Sequence, residues 1–294
     1  MKKYLSLLCL LVLVTCLPLP VFGEETVKFK KLTVPADVEY IDLGKTVVEA
    51  KEDEQFFKFL ESMPNLKKVD MFSTKLIRRR ITKYAERFPD IEFGWTMVIA
   101  AREVRTDITA FSMRNSDRSY RYGAEEFSIL KYCKNLMALD LGHNQLKNDL
   151  DFLYDLPQLK VLILVDNTLD DITPIASLKN LEYLELFYNT IHDISPLAEL
   201  TNLVDLNICF NRIADLSPLT GLTGLKRLWI RNSNSRNATV KLDPAVVEML
   251  EKALPDTYID STSSSVDGGW REGSHYECIK RMFKKGGVYE PFPD

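Results

Sequence analysis

The hydrophobic pattern of the chain changes rhythm near residue 136. From there the segments beginning at Leu136, Leu159, Leu181, Leu203 and Leu225 superimpose, with steps of 23, 22, 22 and 22 residues. "LMALDLGHN", "LKVLILVDN", "LEYLELFYN" and "LVDLNICFN" share the template L-x-x-L-x-L-x-x-N, and the fifth copy, "LKRLWIRNS", keeps the apolar positions and ends in Ser233. The alternation x-L-x-L-x predicts a short strand with Leu184 and Leu186 turned inward and Tyr183, Glu185 and Phe187 turned outward. The asparagine falls where the chain bends back toward the interior. Buried turns leave backbone groups in need of partners, and a carboxamide both donates and accepts. Asn144, Asn167, Asn189 and Asn211 are therefore predicted to form a structural ladder along the stack rather than to touch a ligand.

The second half of each copy is equally regular. "DDITPIASLKNL", "HDISPLAELTNL" and "ADLSPLTGLTGL" share an apolar residue, then Ser or Thr, then Pro. This predicts a short 3₁₀-like turn in which Thr173, Ser195 and Ser217 are the caps and Pro174, Pro196 and Pro218 take the first position. A single copy buries too little to offset its backbone entropy, so neighbouring coils must complete one another's cores.

Before residue 136 the pattern loosens. "VEYIDL" from Val38 and "LKKVDM" from Leu66 keep three spaced apolar positions, and "FPDIEF" from Phe88 and "LPDTYI" from Leu254 read as strand beginnings. Helical spacing runs through Glu52 to Met63 and Ile81 to Phe88. Val104 to Phe111 is a candidate strand, and Arg114 to Arg121 reads as a polar loop. The expected organisation is a removable leader (1–23), irregular coils with helices (24–135), regular 22-residue coils (136–233), a last coil-like helix and strand (234–260), and a linker with a carboxyl-terminal cap (261–294). In that tail "STSSSVDGG" has linker composition. "WREGSHYECIKRMF" predicts one helix with Tyr276, Ile279 and Phe283 on one side, assigned to covering the last coil.

Composition adds little and targeting more. The 294 residues are 46% hydrophobic and 27% charged, with a net charge of −4. That is ordinary for a folded protein and offers no basic surface for nucleic acid. Lys2 and Lys3 precede an apolar run from Leu5 to Leu17, and Val21-Phe22-Gly23 offers small residues for cleavage after Gly23. The run is shorter than the roughly 20 residues of a membrane span, so the mature chain is expected to lack a transmembrane segment and to be secreted or held at the cell surface. Leu13-Val14-Thr15-Cys16 is the alternative, a lipidation signal that would anchor the chain through Cys16. Beyond the leader stand Cys133, Cys209 and Cys278, an odd number at spacings that match no metal or redox pattern. Asn237-Ala238-Thr239 is a lone glycosylation sequon.

The compact copies resemble the leucine-rich repeats of bacterial internalins and related surface proteins, and "LEYLELFYNTIHDISPLAELTNL" is close to that consensus. The specific match covers Leu136 to about Ile230. The whole chain also resembles leucine-rich lipoproteins of gut Firmicutes. The resemblance implies an α/β leucine-rich-repeat solenoid, curved, with a parallel sheet on its concave face and short turns on the convex face. It also implies recognition of a protein partner through that face. The chain departs from internalins in having no charged helical cap before the repeats, no immunoglobulin-like module after them and no LPxTG wall anchor, so host invasion is not carried over.

Within that frame the outward positions follow by phase. The columns read Ala138, Val161, Tyr183, Asp205, Arg227; then Asp140, Ile163, Glu185, Asn207, Trp229; then Gly142, Val165, Phe187, Cys209, Arg231. His143, Asp166, Tyr188 and Phe210 stand just before the asparagines. The predicted partner-binding set is Tyr183, Glu185, Phe187, Tyr188, Asp205, Asn207, Phe210, Arg227, Trp229 and Arg231, because exposed rings framed by Arg and acids anchor interfaces. A glycan stacked on the same rings is the alternative partner. The bland reading is that the rings stack on one another or lie under the carboxyl-terminal tail. Catalysis is not expected. His275 and Cys278 are three apart but lack an identifiable acid or oxyanion donor. His143, His192 and His275 form no zinc motif, and no cofactor or metal site is predicted. Asp170 and Asp171 read as solvated, and Arg78-Arg79-Arg80 as the water-facing start of a helix.

Overall fold

The computed structural model describes residues 25–114, 121–232, 242–263, 269–284 and 287–293. The leader, Cys16, the sequon at Asn237, Ser233 and part of the 261–269 linker lie outside the described residues.

The described residues open with an antiparallel hairpin, β1 (Thr26–Phe29) and β2 (Leu32–Pro35). A four-stranded sheet follows, built from β3 (Tyr40–Asp42), β4 (Lys68–Leu76), β5 (Glu92–Ile99) and β6 (Arg102–Arg105) in that order. Its first three strands are parallel and are crossed by helices α1 (Asp53–Glu61) and α2 (Arg78–Arg87). Both helices carry their apolar residues on one side, and Phe56, Phe57, Leu60, Ile81 and Tyr84 are buried. The expected strand from Val104 to Phe111 is corrected. Ala100 and Ala101 both take left-handed φ, near 47° and 62°, and reverse the chain so that β6 runs antiparallel to β5. The next strand, β7 (Ala110–Ser112), begins a second sheet.

That second sheet is wholly parallel. A short helix, α3 (Ala124–Phe127), leads into β8 (Ala138–Asp140), β9 (Val161–Ile163), β10 (Tyr183–Glu185), β11 (Asp205–Asn207) and β12 (Arg227–Trp229). Helix α4 (Pro244–Ala253) precedes β13 (Tyr258–Asp260), and the seven strands lie in sequence order. Leu139, Leu162, Leu184, Leu206, Leu228 and Ile259 are paired in register across six of them. The leucines thus stack side by side in one apolar core that continues into the amino-terminal sheet. The chain is an α/β solenoid whose coils close through 3₁₀ turns on the side opposite the strands.

Two details of the turns differ from the sequence reading. Thr173, Ser195 and Ser217 are the first residues of the turns, not the caps, and the prolines stand second. Capping falls to Asp171, Asp193 and Asp215, whose carboxylates each accept from the backbone N–H two residues on at 2.8 Å. The Thr173, Ser195 and Ser217 hydroxyls donate to the same carboxylates, and hydroxyl and backbone bonds together favour the ionised form and hold all three carboxyls below their ordinary range. Asp171 is therefore a turn-forming group, not only a solvated one.

The asparagines are fully buried or nearly so. Asn189 is representative. Its Nδ2 donates to the carbonyls of Leu164 (2.9 Å) and Leu186 (2.8 Å), and its Oδ1 accepts from the N–H of Asn167 (2.9 Å) and Leu169 (3.1 Å). Asn144, Asn167 and Asn211 make corresponding bonds from coil to coil. Asn232, one residue before the position occupied by Ser233, is also buried and donates to the Ile213 carbonyl. The bend before each asparagine is tight. His143, Asp166, Tyr188 and Phe210 all sit at φ between 53° and 62°, a left-handed region that side chains adopt at a cost of roughly 1–2 kcal/mol.

Candidate functional site

The outward face of the seven-stranded sheet is the predicted recognition surface, and the structure places its side chains together. Tyr183, Asp205 and Arg227 occupy paired positions on β10, β11 and β12, and Glu185, Asn207 and Trp229 occupy the next outward row. The expectation that this row lies open is corrected. Tyr183, Glu185, Phe187, Asp205, Asn207, Phe210 and Trp229 are all buried, and Tyr188, Arg227 and Arg231 are half-buried. The cover is the chain's own tail.

The tail enters through a 3₁₀ turn at Trp270–Glu272, continues as helix α5 (Ser274–Met282) and includes residues 287–293, which have no regular secondary structure. Together these residues form a strap across the sheet. Trp270, Cys278, Ile279 and Met282 are buried against Ala138, Val161, Ile163, Val165, Tyr183, Phe187, Cys209 and Trp229, with Tyr276, Phe283, Tyr289 and Phe292 packed at the margin. The predicted helix is present with its apolar side roughly as read, but it lies on the sheet, its contacts falling between β7 and β12, instead of on the end of the stack. The physical cause is the apolar outward row. A fully buried Val, Ile or aromatic side chain is worth about 1.5–3 kcal/mol over the same group in water, so a face carrying this many of them favours a cover.

Polar contacts fix where the strap lies. The Trp270 ring meets Trp229 edge to face with centroids 5.1 Å apart, and its Nε1–H donates to Glu185 Oε1 at 3.0 Å. The Tyr183 hydroxyl donates to the same oxygen. Arg227 reaches Asp205 with two N–H donors, at 2.8 and 3.0 Å, and gives a third to the Trp270 carbonyl at 3.1 Å. Gly273 lies so close to the Arg227 guanidinium that a Cβ there would stand 2.4 Å from Nη1. At the far end the Ala110 N–H donates to the Gly287 carbonyl (3.2 Å) and the Tyr289 N–H to Thr109 Oγ1 (2.9 Å). Gly287 has φ near 49° and would place a Cβ 2.4 Å from the Ala110 carbonyl oxygen, so glycine is required there.

His275 occupies the centre of the strap. Its Nδ1 stands 2.7 Å from Asp205 Oδ2 and its Nε2 3.2 Å from the Pro293 carbonyl. Both neighbours are acceptors, so the ring is best served as an imidazolium, and its pKa is raised chiefly by the Asp205 bond. Neither nitrogen is directed at Cys278, whose sulfur accepts from Arg281 at 2.9 Å. The sequence motif that invited a nucleophile is thus an ion pair with Asp205 and a separate buried thiol. Burial raises the carboxyls of Glu185 and of Asp140, the equivalent outward residue of β8. Among the described residues no group of three or more His, Cys, Asp or Glu side chains forms a metal site.

Strap and sheet leave buried polar atoms unmatched, the Tyr289 hydroxyl on the strap and two donors on the sheet. Among the described residues Asn207 Nδ2 and Trp229 Nε1 are buried N–H donors without a hydrogen-bond acceptor, and their residues are paired in register on adjacent strands. A buried donor left unmatched costs about 1–3 kcal/mol. Sequence reasoning singled out both residues for their outward phase, but nothing in the repeat template signals that their donors would be left over.

A family model described as Leucine Rich repeats (2 copies) matches residues 157–199 and again 179–220. No curated protein matches the chain. Among solved structures, internalin C2 of Listeria monocytogenes is 23% identical over 63% of this chain and 74% of its own, with a TM-score of 0.36. An internalin (inlF) of the same organism is 18% identical over 69% and 65%, with a TM-score of 0.37. A leucine-rich-repeat protein of Leptospira interrogans is 17% identical over 69% and 74%, with a TM-score of 0.36. The 22-residue template, the asparagine ladder, the parallel sheet in register and the family match over residues 157–220 together give this chain a leucine-rich-repeat solenoid fold, with compact repeats that resemble those of internalins.

Proposed function

We propose that the chain is an exported, non-catalytic recognition protein that holds a protein partner against the concave face of its solenoid. The observation that carries this reading is that the face already holds a polypeptide by side-chain chemistry: indole on carboxylate, imidazole on carboxylate, guanidinium on carbonyl, and aliphatic side chains among rings. The contact set is Tyr183, Glu185, Phe187, Tyr188, Asp205, Asn207, Phe210, Arg227, Trp229 and Arg231, available to a partner when the strap leaves. A polypeptide occupant favours a protein over a glycan. Export rests on the leader segment, with anchoring through Cys16 as its variant, and no described helix is long and apolar enough to cross a membrane. The net charge of −4 gives nucleic acid no electrostatic attraction.

The test uses the mature chain and a Phe187→Ala/Trp229→Ala variant as parallel baits for cell-envelope and culture-fluid proteins, with circular dichroism confirming both folds. The expected result is a set of proteins kept by the first bait, lost by the second and displaced by a peptide of residues 269–293. Equal retention by both baits, or failure of the peptide to compete, removes the concave face from the reading.

A further inference from the structure

We propose that the strap is a self-ligand: it blocks the concave face reversibly, and the occupant that replaces it is a polypeptide segment carrying a carboxylate or amide acceptor over Asn207 and Trp229. The proposal rests on the reading of that face as a protein-binding surface.

Three observations carry it. First, the strap supplies partners for one part of the face and not for the next. Glu185 receives the Trp270 indole, Asp205 receives His275, and Arg227 receives the Trp270 carbonyl. One strand position away, the donors of Asn207 and Trp229 are covered and given nothing. An occupant that kept the first set and placed an oxygen over the second would fit better than the strap does. Second, this mismatch contrasts with the interior side of the same coils, where the ladder asparagines spend both amide hydrogens and the carbonyl on backbone partners. Third, the strap is the outer layer. Glu272, Glu277, Lys280, Arg281 and Lys284 on its far side are exposed, so it lifts without opening the leucine core.

Hydrogen exchange on the intact mature chain tests the reversible part. The amides of Ser274 to Met282 are expected to exchange through an opening at least about ten times more populated than that of β10 and β11. Equal protection of strap and strands overturns the proposal, since strap and sheet then open only together. A full-length Trp270→Ala/Ile279→Ala chain supplies the second measurement. A labelled 269–293 peptide is expected to bind it at least about tenfold more tightly than it binds wild type, because the cover is loosened. Equal binding to both chains, with strand protection intact in the variant, overturns the proposal; should the variant lose strand protection, the wild-type exchange result decides alone. A glutamate scan of that peptide across residues 270–276 tests the acceptor. At least one position is expected to gain about fivefold in affinity, with the gain lost on the same chain carrying Asn207→Asp, where a donor becomes an acceptor. No gain at any position removes the acceptor from the proposal. None of these experiments needs a captured partner. A strap that opens while no protein is retained therefore faults the functional reading alone, and a retained protein with a strap that never opens faults the self-ligand alone.

Discussion

The two sheets of the molecule share an inner face and differ in the outer one. In the amino-terminal sheet Ile41, Val69 and Phe93 pair inward, as the leucines do in the repeats. Its outward row is Tyr40, Lys68 and Glu92, then Asp42, Asp70 and Gly94. Tyr40 is 50% exposed, its hydroxyl donates to Asp70 at 3.0 Å, and Lys68 pairs with Glu92 at 2.8 Å in solvent. The corresponding rows of the second sheet run Ala138, Val161, Tyr183 and then Asp140, Ile163, Glu185; Ala138, Val161, Ile163 and Tyr183 pack against the strap and Glu185 accepts from its Trp270. Parallel strands in register are thus left largely open to solvent in one half and covered in the other. The chemistry of the outward column decides which.

Breaking the inner face has the largest expected effect. Leu184→Ala removes a fully buried side chain between two coils and is expected to cost about 4 kcal/mol, read as a lower denaturation midpoint of the whole second sheet. A loss below about 1 kcal/mol would mean the leucine stack is not what joins the coils. Asn189→Ala comes next, at about 3 kcal/mol, because it strands donors and acceptors on two coils at once. An equally stable variant would deny the ladder its structural role.

The covered face carries a pH dependence of its own. His275 has a raised pKa in the closed form, so its contribution is complete below the ordinary value near 6.5 and is lost as pH rises through the raised value. Glu185, which accepts from the strap's Trp270, is raised as well by burial, which favours the closed form when it is protonated and weakens it as pH climbs past the ordinary carboxylate range. Both effects have one sign: acid tightens the strap and alkali loosens it. The groups facing His275 are Asp205, the Arg227 beside it, and the Pro293 carbonyl, while Glu185 faces Tyr183, Trp270, Asp140 and Arg114. Emission from Trp229 and Trp270 is expected to shift to longer wavelength above neutral pH, and His275→Gln to flatten that step. A step unchanged in the variant would assign it elsewhere. Smallest of all is Lys68→Ala on the bare sheet. Its ion pair is solvated on both sides, with side-chain exposures of 42% and 57%, and the expected change is within about 0.5 kcal/mol.

The contrast also marks what the sequence makes legible. Leucines at a fixed phase specify the stack because a slipped register would turn every one of them outward. The same rule locates the outward columns, and all ten predicted contact residues lie on or beside that face. What it does not specify is the occupant. Val161, Ile163, Tyr183 and Trp229 look the same to a sequence reader whether another chain or their own tail covers them. The spacing of Tyr276, Ile279 and Phe283 gives a helix its apolar side but no address. A signal for the turn caps was present in Asp171-Ile172-Thr173-Pro174 and its two repeats, since an aspartate two residues before a turn is a natural acceptor. The hairpin at Ala100-Ala101 had none, because alanine announces neither a turn nor a left-handed φ.

The strap is fastened to β12 through Arg227 at one end and to β7 through Ala110 and Thr109 at the other. A repeat stack bends like a leaf spring, each coil shifting slightly on the next. A tie secured at both ends of six strands turns that spring into a braced frame of set span, and cutting the tie at either end returns the freedom to flex to all of them.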